Sequence, residues 1–168
     1  MGTASGGLEG VGTVRSSVIV DAGRLGLANS PEPLIYGADL ALLTVRSDLV
    51  ALSGARSWAE TLRSGFDAMG AEQRLGVLLV GEGRPYTSRN VAKVLGVPVT
   101  ASLAWDERSA AVFSHGNQPG RRFDGAALPR SLRAAQASLE SALTVSRESL
   151  DVFRWAEVGD ECPSWPCR

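Results

Sequence analysis

The chain has 168 residues, 44% of them hydrophobic and 21% charged, close to the soluble globular averages of about 45–50% and 25%. That length suits one domain, at roughly 100–200 residues per domain. With 17 Lys+Arg against 18 Asp+Glu the net charge is −1, which gives no electrostatic case for a nucleic-acid binder.

No apolar run reaches the ~18–20 residues of a membrane span. The opening residues have neither the basic nor the apolar region of a secretory signal. A soluble cytoplasmic domain is therefore expected. Lysine is almost absent: of the 17 basic residues, only Lys93 is not arginine. Any phosphate chemistry that needs a lysine in a Gly-rich loop must use that residue or do without.

Residues 1–16 (MGTASGGLEGVGTVRS) are small and Gly-rich, and their composition predicts a flexible leader. The β-branched run Ser17-Val-Ile-Val-Asp21 predicts a buried strand ending in an acid. Pro31 and Pro33 introduce a short helical turn through Tyr36, with Ser30 as its cap. Residues 38–45 (ADLALLTV) predict a second buried strand. Ser47 or Ser53 then caps a helix whose apolar stripe is Leu49, Leu52, Ala55, Ala59, Leu62, Phe66 and Met69, with Gly70 as its stop.

Residues 75–80 (LGVLLV) predict a third strand, and Gly81-Glu-Gly-Arg-Pro85 a loop with turn glycines at Gly81 and Gly83. Thr87 or Ser88 caps a shorter helix through Leu95. Residues 97–103 (VPVTASL) predict a fourth strand, with Pro98 tolerated near its start. A short helix over 106–114, a polar loop over 116–125 and a last helix on Leu128, Leu132, Ala135, Leu139 and Leu143 complete the pattern. After Ser146 the periodicity fades, and residues 147–168 are expected to form an irregular tail. Strand and helix alternate over residues 17–146, which predicts an α/β domain with a mostly parallel sheet covered by helices.

Val18-Ile-Val-Asp21, Ala38-Asp-Leu-Ala-Leu-Leu-Thr-Val45, Leu75-Gly-Val-Leu-Leu-Val80 and Leu95-Gly-Val-Pro98, in that order, resemble the later part of a ParA/MinD-type ATPase. This family is the deviant-Walker-A branch of the P-loop proteins. Leu103-Ala-Trp-Asp106, Gly116-Asn-Gln-Pro119 and the helix from Leu128 to Leu143 fill the family's last slots. The resemblance implies a truncated three-layer sandwich of the P-loop NTPase kind. It places Asp21 at the Walker B position, where the family's acid holds Mg²⁺ through water, and Arg24 beside it as a phosphate or Asp21 partner.

The family's KGGxGK[ST] loop has no counterpart. Gly6-Gly-Leu-Glu-Gly-Val-Gly-Thr13 echoes it, but Glu9 and Val11 stand where lysine is wanted, and a carboxylate beside a triphosphate has the wrong sign. The resemblance therefore implies a degenerate, non-hydrolysing domain without a bound cofactor, acting through a protein partner or self-association in partitioning or positioning machinery. The alternative is an ATPase subunit that binds ATP and Mg²⁺ and takes its P-loop from another chain or an upstream region.

The other candidates read as ordinary structure. His115 is the single histidine and has no partner fixed by local spacing. Cys162 and Cys167 lack two further zinc ligands. Arg121, Arg122, Arg130 and Arg133 form a solvated face rather than a nucleic-acid patch. Trp58 and Trp105 are packing residues, Trp105 at the sheet's ligand edge, while Trp155 and Trp165 suit a partner contact.

Overall fold

The computed structural model describes residues 17–26 and 32–156, with side chains as far as Ser146. The proposed leader, the Ser30 cap with Pro31, and Cys162, Trp165 and Cys167 lie outside the described residues. Two compact units are distinguished, Met1–Ser30 and Pro31–Arg168.

In the first unit, residues 17–24 form neither helix nor strand, and Ile19 is 93% exposed. This corrects the buried strand expected over residues 17–21. A Val/Ile run suits a pleated, half-buried surface, but it becomes a strand only when another strand pairs with it. None does so among the described residues. Asp21 Oδ1 instead accepts a hydrogen bond from the Gly23 N–H at 2.8 Å, a local turn closed by an Asp side chain.

The second unit runs α1 (Glu32–Gly37), β1 (Ala41–Arg46), α2 (Leu49–Ala68), β2 (Leu75–Val80), α3 (Ser88–Leu95), β3 (Val99–Leu103), α4 (Glu107–His115) and α5 (Ala127–Ala156). Single 3₁₀ turns lie at Glu72–Arg74 and Phe123–Gly125. The strands form one sheet in the order β1-β2-β3, and both pairs are parallel. β1 and β2 pair without interruption from Ala41↔Leu75 to Arg46↔Val80. Between β2 and β3 the register slips, from Val77↔Val99 to Leu78↔Ala101.

The apolar runs become strands here because a parallel sheet is covered on both faces. Leu75, Val77 and Leu79 share one face of β2 by the two-residue period. They are buried together with Leu52, Ala59, Leu62 and Phe66 of α2 and Val91 and Leu95 of α3. Crossovers of one hand between consecutive neighbours put α2 and α3 on the same side. The Ser131 Oγ near the start of α5 accepts from the Ala104 N–H beyond β3 at 3.0 Å. Further along, the Ser146 Oγ donates to the Asp39 carbonyl before β1 at 2.8 Å. α5 therefore crosses the remaining face diagonally, which makes three layers. Arg74 ties α1 to the sheet: Nε donates to the Ala38 carbonyl and Nη2 to the Tyr36 carbonyl, each at 2.9 Å.

Two local expectations change. The cap of α2 is Asp48, whose Oδ1 accepts from the Ala51 N–H at 2.8 Å, rather than Ser47 or Ser53. α5 also continues through Ala156, so the first ten residues of the expected irregular tail are helical.

Two glycines of α2 give opposite expectations. A Cβ on Gly54 meets nothing within 4 Å, whereas one on Gly65 comes within 2.6–2.8 Å of three Tyr36 ring atoms. Tyr36 packs on Phe66 with ring centroids 5.2 Å apart. Alanine inside a helix is worth about 0.5–1 kcal/mol over glycine. Gly54→Ala is therefore expected to stabilise by about that amount. Gly65→Ala is expected to destabilise by about 1 kcal/mol net, because the methyl displaces a packed ring. Urea midpoints of the two variants, at equal m, decide it.

Candidate functional site

Ligands of open parallel α/β sheets sit outside the carboxyl ends of the strands. Here those ends are Arg46-Ser47-Asp48 after β1, Gly81-Glu82-Gly83-Arg84 after β2 and Ala104-Trp105-Asp106 after β3. A cleft of ≈ 200 Å³ opens between them, lined by Arg46, Ser47, Asp48, Gly81, Arg84 and Trp105 among others.

Ser47 is the pivot of this edge. It is 2% exposed. Its N–H continues the β1–β2 ladder by donating to the Val80 carbonyl at 3.0 Å. Its hydroxyl donates to the Gly81 carbonyl at 2.7 Å and accepts from the Arg84 N–H at 3.2 Å. One buried hydroxyl thus fixes the β2–α3 loop against the end of β1. Gly81 and Gly83 have φ of 80° and 78°, which L side chains adopt only with strain. Both are turn glycines, as the sequence indicates.

The acids at this edge are engaged locally. Asp48 caps α2 and pairs through Oδ2 with Arg46 Nε at 3.3 Å. Glu82 accepts from both the N–H and the hydroxyl of Ser88 at the start of α3. Asp106 caps α4: its carboxylate accepts from the Ser109 N–H at 3.1 Å, the Ser109 hydroxyl at 2.7 Å and the Leu128 N–H at 3.4 Å. The Trp105 indole N–H donates to Glu107 Oε1 at 3.1 Å.

The Ser109 hydroxyl above all, then the Ser109 and Leu128 N–H groups, hold the Asp106 carboxyl below its ordinary value of 3.8. A carboxylate with a depressed folded-state pKa stabilises the fold above the unfolded value and loses that contribution as pH falls through the folded value. Acid unfolding of Asp106→Asn is expected to depend less steeply on pH below about 3.8 than that of wild type. Circular dichroism along a pH titration reads this.

Asp21 and Arg24 are exposed in the first unit, and no ion pair joins them among the described residues. Lys93 is exposed within α3. His115 closes α4, with Nδ1 2.8 Å from its neighbour Ser114 Oγ. Arg121, Arg122, Arg130 and Arg133 are exposed, and Arg133 pairs with Asp124 at 3.5 Å. No group of three or more His, Cys, Asp or Glu suited to a metal occurs among the described residues. No helix among them is long and apolar enough to cross a membrane.

Sequence reading did not find the Ser47 bridge or the pairing of Arg46 and Arg84 around the cleft. The available signal was a serine immediately after a strand in a parallel sheet, where side chains meet the next loop.

The fold and this edge define a small parallel α/β domain whose strand-end acids cap its helices. No family model, curated protein or solved structure matches the chain.

Proposed function

We propose that this chain is a non-catalytic interaction module of the ParA/MinD kind, acting in the cytoplasm through protein contacts. The carrying observation is that the carboxylates of Asp48, Glu82 and Asp106 are all spent on helix starts. An acid that accepts helix N–H groups is oriented away from a substrate and kept ionised, a poor general base. The cleft supports the same reading. At ≈ 200 Å³ it is smaller than the ~300–1,000 Å³ of small-molecule pockets. Around it stand exposed Arg46, Arg84 and Trp105, with exposed Leu49 and Val50 on the first turn of α2. Trp and Arg beside apolar side chains are the residue types that anchor protein contacts. The partitioning or positioning setting rests on the order of sequence motifs alone.

A second reading, a nucleotide-binding ATPase subunit that takes its P-loop from another chain or an upstream region, is favoured by one feature. Arg84 and Trp105 line the cleft at the ligand edge of a parallel sheet. Calorimetric titration with Mg²⁺-ATP and Mg²⁺-GTP separates the two. No binding heat, with phosphate release no greater than that of Asp21→Ala, is expected. Saturable heat with either nucleotide overturns the first reading in favour of the second.

A further inference from the structure

We propose that the free edge of β1 is a self-association surface, on which a second copy of this chain lays its own β1 antiparallel. The two three-stranded sheets then become one continuous sheet. This goes beyond the interaction-module reading by naming a partner and a surface away from the cleft.

The backbone supplies the first argument. The Ser47 N–H points to β2, where it meets the Val80 carbonyl. Strand residues alternate in direction, so Val45 and Leu43 also turn their backbone groups to β2. Those of Leu42, Thr44 and Arg46 point outward. Among the described residues no strand pairs with them. Natural edges are blunted by proline, bulges or inward charges. β3, the opposite edge, has a register slip and follows Pro98. β1 pairs without a slip, and Ala-Leu-Leu-Thr-Val contains neither proline nor charge.

Register supplies the second. A two-fold axis normal to the sheet keeps each face on its own side, so opposed residues must share parity. Centring the axis on Thr44 sets Thr44 against its copy, Leu42 against Arg46 and Leu43 against Val45. Thr44 and the Leu42–Arg46 pairs then exchange reciprocal N–H···O bonds through their outward groups. Opposed threonines stabilise an antiparallel pair, and no like charges meet.

Helix α2 supplies the third, independent of the backbone. A Cβ on Gly96 would lie 3.1 Å from Arg63 Nη1, and Arg63 and Asp67 line a cavity with Gly96 and Val97. That flank of α2 faces α3. At about 100° per residue, Ala51, Ala55 and Trp58 fall on the other flank, toward the free edge of β1. Trp58 is 37% exposed there. Two alanines beside a tryptophan leave room for a second helix to approach. The two-fold that joins the β1 edges brings the copy of α2 to this flank.

Light scattering coupled to size exclusion at micromolar concentration tests the proposal. Wild type is expected at twice 17.6 kDa. Thr44→Pro removes an outward N–H that the internal ladder does not use, and Thr44→Lys opposes two like charges on the axis. Both are expected to run at 17.6 kDa with unchanged far-ultraviolet circular dichroism. Trp58→Ala is expected to weaken the dimer at least ~10-fold, about 1.4 kcal/mol. A wild type that stays monomeric overturns the proposal, whether a different protein or the run Val18–Val20 takes the edge. So does a dimer that survives both Thr44 variants. Neither result bears on nucleotide binding, so the functional reading stands or falls separately.

Discussion

Phe66→Ala is expected to cost about 3–5 kcal/mol, the range for deleting a buried aromatic ring. Phe66 is fully buried, on the face of α2 turned toward β2. It stacks at a tilt on Tyr36 and shares a cavity lining with Leu75 and Val97. The ring therefore joins α1, α2, β2 and the entry to β3. Its loss leaves a void that four separate elements would have to close together, and a core relaxes only partly around such a void. Against a total stability of about 5–15 kcal/mol, that is a large share. A fall in Tm of roughly 10–20 °C is expected for a domain of this size. Phe66→Leu keeps most of the volume and is expected to lose less than half as much. Thermal unfolding followed by circular dichroism compares the two. If Phe66→Ala costs under ~1 kcal/mol, the ring is not the centre of the core.

Much of this architecture is legible in the sequence, and for a physical reason. Residues 41–46, 75–80 and 99–103 are short apolar runs bounded by Gly, Pro or polar residues, and each is a strand. The α2 stripe Leu52, Ala59, Leu62 and Phe66 is buried as its spacing requires. Thr87 caps α3 through its bond from the Asn90 N–H. These signals are local, and local signals are what a sequence displays.

The run Val18-Ile-Val20 has the same look as those strands and is not one. Apolar character marks a segment that gains by burial, while strand formation depends on a partner elsewhere in space. The choice of cap failed for a different reason. Ser47, Asp48 and Ser53 are all good capping types within seven residues. Only the three-dimensional path shows that Ser47 is still the end of β1, with its hydroxyl already held by Gly81 and Arg84. The candidate site was hidden likewise. Arg46, Arg84 and Trp105 are far apart in sequence and meet only because three parallel strands end at one edge.

Gly76→Ala is the second large effect, and it separates the intrinsic from the tertiary cost of a side chain. Glycine inside a strand costs about 0.5–1 kcal/mol of chain entropy relative to alanine, so the change alone should help. In this sheet it is expected to destabilise by about 1–3 kcal/mol. A Cβ at Gly76 runs into the Thr100 Oγ1, and it lies 3.2 Å from both the Thr100 Cβ and the Leu42 Cδ2. Leu42 and Thr100 belong to the strands on either side of β2. Gly76 is thus the gap into which its two neighbours lean, and the register slip near Val99 lies next to it. Removing the obstacle should restore the balance. Thr100→Ala in the Gly76→Ala background takes away the Oγ1, and the pair is expected to recover about 1 kcal/mol or more. Urea unfolding of the four proteins in the cycle measures that coupling. Additive losses, with no rescue in the double variant, would mean that the crowding at Gly76 comes from the Leu42 side or the backbone, and not from Thr100.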